Sequence, residues 1–204
     1  MALNQGTIGQ INGSDGSTPI TARLGQQGDQ IVSELHGRYY EDTVRGNRYG
    51  ITGSATTTTA AGAAIFTGLT VNNPTGSGYN LAIDKVFVNQ VAAVTAGTAI
   101  GVMYGPNVVA GALTTIVNRT AGGKASIANA SVGLTFTAAM TSFIVFAGSG
   151  SGAITVPLII PVAMADFEGG LIIPPGYSLA SYTSVASTTA LIFTFNWSEI
   201  PIIR

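Results

Sequence analysis

Cysteine is absent from the 204 residues, which removes disulfides, thiolate zinc sites and cysteine nucleophiles together. One histidine, His36, is the only imidazole for acid–base, nucleophilic or metal work. No serine has the strand–turn–helix setting of a nucleophile elbow, and a triad needs three placed groups. The chain is therefore read as a non-enzyme, with no catalytic, cofactor-binding or metal-ligating residue assigned. Charge is scarce as well: 8% of residues, against about 25% in an average soluble domain. Ser, Thr, Asn, Gly and Ala must cover the surface instead, and much of it is expected to be covered by copies of the chain or by a partner. A net charge of −1 gives no basic field to gather nucleic acid. Long apolar runs are missing too. The most apolar stretch, 154–165, is broken by Pro157 and Pro161 and falls short of the roughly 18 to 20 residues of a membrane span. MALNQGTIGQ at the start shows neither a basic segment nor an apolar run, so the expectation is a soluble protein without a signal peptide.

What is present is strand text. The organising stretch is 169–203, where Pro174, Pro175 and Gly176 stop one apolar run and start another. Pro175 suits turn position i+1 and Gly176 the positive φ of position i+2. In the closing run Leu191, Phe193, Phe195 and Trp197 alternate with Ile192, Thr194, Asn196 and Ser198. That period of two predicts a half-buried antiparallel strand with the only tryptophan on its core face. Further strands are expected at 63–71, 79–91, 98–104, 113–118, 132–137, 142–147, 153–160, 169–173 and 177–183, with Gly, Pro or Asn near most breaks. In 79–91, Leu81, Ile83, Phe87 and Val91 are read as one face and Asp84 and Val86 as the other. No window gives a convincing amphipathic helix. The fold class is all-β: an antiparallel, jelly-roll-like β-sandwich over 49–204, preceded by an extended arm and interface segment over 1–48.

Residues 1–30 are Gly, Gln, Asn, Ser and Thr with isolated Ile and Leu, too few apolar groups to fold alone. Residues 31–50, IVSELHGRYYEDTVRGNRYG, differ. More than half of all acidic and basic side chains lie within the first fifty residues, with three of the seven tyrosines. Tyrosine and arginine combine large contact area with directional hydrogen bonds, so Arg38, Tyr39, Tyr40, Arg45, Arg48 and Tyr49 form an interface candidate. The alternative is that a low-charge protein simply keeps its solvated segment here. Asp166 and Glu168 are read as solvated loop charges, because no calcium loop surrounds them. Gly148 to Gly152 is read as a hairpin tip, since it lacks the lysine and helix of a phosphate loop.

The order of these segments carries a resemblance. A polar arm, then IVSELHGRYYEDTVRGNRYG, then FTGLTVNNPTGSGYNLAIDKVFV, and finally LIIPPGYSLAS before a closing strand ending NWSEIPI resembles the small structural proteins of tailed-bacteriophage virions, of capsid decoration or cement type. The resemblance spans nearly the whole chain. It implies a virion component on the outer capsid surface, made in the host cytoplasm, trimeric, and bound to the major capsid protein, with no nucleic-acid or membrane partner. The other reading is a tail-fibre, baseplate or head-fibre module binding host surface glycans, with Tyr104, Tyr177 or Tyr182 stacking on sugars.

Overall fold

The computed structural model describes residues 39–53, 65–66, 68–90, 97–106, 112–136, 140, 142–149, 160–185 and 191–202. The arm through residue 38, with His36 and Arg38, lies outside them, as does most of the expected strand 153–160. The chain divides into two compact units, 1–40 and 41–204. Of the first, only Tyr39 and Tyr40 are described.

In chain order the elements are helix α1 (Tyr40–Val44) and strands β1 (Arg48–Gly53), β2 (Ile65–Phe66), β3 (Thr70–Asn72), β4 (Tyr79–Gln90), β5 (Thr98–Pro106), β6 (Ala112–Leu113), β7 (Val117–Asn118), β8 (Asn129–Val132), β9 (Leu134–Thr135), β10 (Ser142–Ser149), β11 (Ile160–Ile173), β12 (Tyr177–Thr183) and β13 (Leu191–Pro201). They form a five-stranded sheet ordered β11-β4-β13-β1-β7, a six-stranded sheet ordered β10-β5-β12-β3-β8-β6, and the small pair β2-β9. The eight principal strands pair as nested antiparallel partners: β1 with β13, β3 with β12, β4 with β11, and β5 with β10. This is a long two-armed ribbon, folded at the β5–β10 end and rolled until β13 meets β4 and β12 meets β5. It is the double Greek key of a jelly roll.

One apolar core joins the two sheets. Leu81, Ile83, Val86, Val88, Phe193, Phe195 and Trp197 from one sheet meet Val71, Ile100, Val102 and Leu179 from the other. The expected alternation of the closing strand holds, and β13 lies centrally between β4 and β1. The β4 phase does not hold. Asp84 has no register partner on either side: Lys85 faces both Asn196 and Asp166, while Ile83 faces Trp197 and Leu171. This bulge advances the alternation by one residue, so Val86 and Val88 enter the core and Phe87 turns outward.

The turn at Pro174 forms as expected. Gly176 has φ 87°, and the Tyr177 N–H donates to the Pro174 carbonyl at 3.2 Å. It is stitched to the preceding NNPTGSG turn by buried Asn73, whose Nδ2 donates to the carbonyls of Tyr79 (2.8 Å) and Ile173 (2.9 Å) and whose Oδ1 accepts from Ser77 Oγ (2.7 Å). Two corners of the roll are thereby locked to each other.

Candidate interaction surfaces

The sequence-expected interface residues separate. Tyr40 and Arg45 are exposed, and Tyr39 is half-buried. Arg48 and Tyr49 lie in β1, a strand of the five-stranded sheet. Tyr49 is fully buried and stacks on Trp197, its register partner, with ring centroids 6.1 Å apart. Its hydroxyl donates to the Ala125 carbonyl at 3.4 Å. Burial, and secondarily the Glu199 carboxylate, push the phenol up to about 12. A side chain so placed packs the core and offers nothing to a partner. The signal that misled is compositional: a tyrosine beside arginines looks the same whether it points outward or inward.

Arg48 starts β1 on the outer face of the five-stranded sheet, nearly buried, with Nη2 3.3 Å from Asp84 Oδ2. Ser198 Oγ donates to the same oxygen at 3.2 Å. The β4 bulge thus has a chemical consequence, because it gives Asp84 a position from which to meet Arg48. On the same face Lys85 pairs with Asp166 at 2.9 Å. Asp166 is therefore a strand residue and not a loop charge. Beyond it β11 bulges at residues 167–170 before rejoining the register at Leu171. Glu168, at φ 52°, donates its N–H to Asp166 Oδ1 at 3.1 Å there.

A loop over 117–127 fastens the start of the sandwich. Asn118 Nδ2 spends its two hydrogens on the carbonyls of Gly46 (3.0 Å) and Lys124 (2.8 Å). Thr120 Oγ1 donates to the Thr43 carbonyl, and Lys124 Nζ donates to Asn47 Oδ1 at 2.7 Å. Ser126 Oγ and the Ile127 N–H both donate to Glu199 Oε1, the latter at 3.0 Å. These ties set the Arg119 guanidinium over Gly50, where a Cβ would meet Arg119 Nη2. Arg119 Nη2 donates to Asn196 Oδ1. Beside it lies an open groove of about 440 Å³ lined by Thr43, Arg48, Phe87, Arg119, Thr194 and Asn196.

The six-stranded sheet is the chemical opposite. None of its strands, TVN, TAIGVMYGP, AL, NASV, SFIVFAGS and YSLASYT, contains Asp, Glu, Lys or Arg. Its outward rows are Phe143–Met103–Ala180 and Val145–Gly101–Tyr182. Met103 and Ala180 are covered by Phe136 and Met140. Phe143 and Val145 are 46% and 54% exposed, and the Phe143 ring lies 5.0 Å from that of Tyr182. Both exposed residues sit on β10, an edge strand with no charge or proline to block further pairing. Among the tyrosines weighed for sugar stacking, Tyr104 packs against the core, Tyr182 against Phe143, and only Tyr177 is exposed. They form no common platform.

Among the described residues no group of three His, Asp or Glu could hold a metal ion, and no helix is long and apolar enough to cross a membrane. Comparison of the chain with family models, curated proteins and solved structures gives no match.

Proposed function

We propose that this chain is a non-enzymatic structural protein of a tailed-bacteriophage virion, a capsid decoration or cement protein that binds the outer shell surface and associates with copies of itself as a trimer. The single observation that carries the self-associating, structural part of this reading is the six-stranded sheet without a charged residue, with Phe143 and Val145 exposed on its edge strand. Soluble surfaces ordinarily keep mixed charges, and an edge strand without charge or proline is a template for pairing. A jelly roll alone does not give this function, since the same architecture serves capsid and lectin domains. The order of polar arm, Arg/Tyr segment, NPTGSG turn and PPG turn adds the virion context. The exposed Tyr40 and Arg45 are the contacts assigned to the major capsid protein.

The test is co-sedimentation of the purified chain with shells of the parent phage assembled without it. Saturable binding at a fixed ratio to the shell protein, together with a higher disruption temperature for the shells, is the expected result. A chain left in the supernatant at saturating concentration would contradict the decoration role. Retention on immobilised host glycans instead would favour a fibre module.

A further inference from the structure

Arg119 differs from Arg48, Lys85 and Lys124. Arg48 and Lys85 each pair with a carboxylate, and Lys124 donates to Asn47 and approaches the Tyr79 ring. Arg119 lies exposed, and its one side-chain hydrogen bond is to a neutral amide, that of Asn196. Its second neighbour is another cation: desolvation first and the charge of Arg48 second pull its guanidinium below the usual value. Two like charges set side by side are unfavourable, and of the two only Arg48 has a carboxylate beside it among the described residues. A chain with only eight basic residues holds two of them at one groove.

The groove fits a particular anion. Arg48 and Arg119 both line the groove; Arg48 pairs with Asp84, which is not part of the lining, and the Arg119 side chain donates to the neutral Asn196 amide. A planar guanidinium presents parallel N–H donors that match a carboxylate in bidentate geometry. Thr43 and Thr194 place hydroxyl-bearing residues in the lining, and Phe87 adds an apolar wall. The volume falls within the range of small-ligand sites, about 300 to 1,000 Å³. We propose that the groove of Thr43, Arg48, Phe87, Arg119, Thr194 and Asn196 is a binding site for a carboxylate on a short apolar stem. A free organic acid and a glutamate side chain of a protein partner share that chemistry. The Phe87 wall favours a ligand with an apolar stem over inorganic phosphate, which has none. The site stands independently of the capsid reading.

The experiment is a titration of the full-length protein, followed through the side-chain resonances of Arg119 and Asn196, with propionate, benzoate and N-acetylglutamate methylamide at constant ionic strength. Inorganic phosphate and benzyl alcohol serve as the anionic and uncharged comparisons. Saturable shifts with the carboxylates are expected, and Arg119→Gln should weaken them about tenfold or more while leaving the melting temperature nearly unchanged. Tighter binding of the capped glutamate than of benzoate would assign the site to a protein partner, and the reverse to a free acid. Unsaturable shifts, equal binding by Arg119→Gln, or preference for phosphate would each overturn the proposal. Should Arg119→Gln fail to fold, Phe87→Ala supplies the second variant, with binding of benzoate expected to fall more than that of propionate. Equal losses for the two ligands would overturn the apolar-stem assignment.

Discussion

A chain beginning at Ile51 is expected not to fold, whereas one beginning at Tyr39 is expected to keep a cooperative melt and a β-type circular dichroism spectrum. Sequence composition placed a boundary at residue 48, which would make a cut near Gly50 harmless. The register of β1 argues otherwise. Arg48, Tyr49 and Gly50 pair with Ser198, Trp197 and Asn196 on one side, and Tyr49 and Gly50 with Asn118 and Val117 on the other. Removing Tyr49 empties a fully buried aromatic site against Trp197, about 3 to 5 kcal/mol by analogy with large-to-small aromatic substitutions. Removing Arg48 takes an ion-pair cation from the buried Asp84 carboxylate, about 3 to 5 kcal/mol more. The anchors of the 117–127 loop on Thr43, Gly46 and Asn47 go at the same time. Domains of this kind have only about 5 to 15 kcal/mol in total. A sharp thermal transition in the 51–204 fragment would show that β1 is dispensable.

The second large effect is expected at Asp84. Its carboxylate sits 4% exposed in the β4 bulge and compensates Arg48. Asp84→Ala takes the Asp84 carboxylate away from a nearly buried guanidinium, and a loss of about 3 to 5 kcal/mol is expected in denaturant unfolding. Replacing both partners removes the uncompensated charge, so Arg48→Met with Asp84→Leu should cost distinctly less than Asp84→Ala alone. Equal losses would mean that packing at the bulge, and not the ion pair, dominates.

The legible parts of the fold are those where side chains alternate without interruption. The closing strand β13 follows from period-two patterning, strand β12 from a β-rich run after a turn, and the turn at Gly176 from two prolines and a glycine. The β4 phase failed because a bulge inserts one residue, and a strict count of two then assigns Phe87 inward and Val86 outward. Strand β1 was hidden by composition. Its charged residue is paired with Asp84, distant in sequence, and Gly50 in its middle reads as a break. The reason for Gly50 lies in Arg119, which the fold brings over it. The groove was illegible for the same reason, since Arg119, Arg48 and Asn196 are neighbours only after β1, β13 and the 117–127 loop are assembled. The scarcity of charge was legible, but its segregation was not: among the described residues every charged strand residue belongs to the five-stranded sheet, and that follows from topology.

Self-association through the uncharged sheet is the central claim, and sedimentation velocity tests it most directly. The full-length protein is compared with the double variant Phe143→Asp, Val145→Asp over a hundredfold concentration range. Both side chains are about half exposed, so the variant should keep its melting temperature to within the few degrees expected of surface changes. The expected result is a trimer for the natural sequence and a monomer for the variant, since two carboxylates on the edge strand would be desolvated without partners in any contact there. A natural chain that sediments as a monomer throughout, or a variant that remains trimeric, would contradict the account.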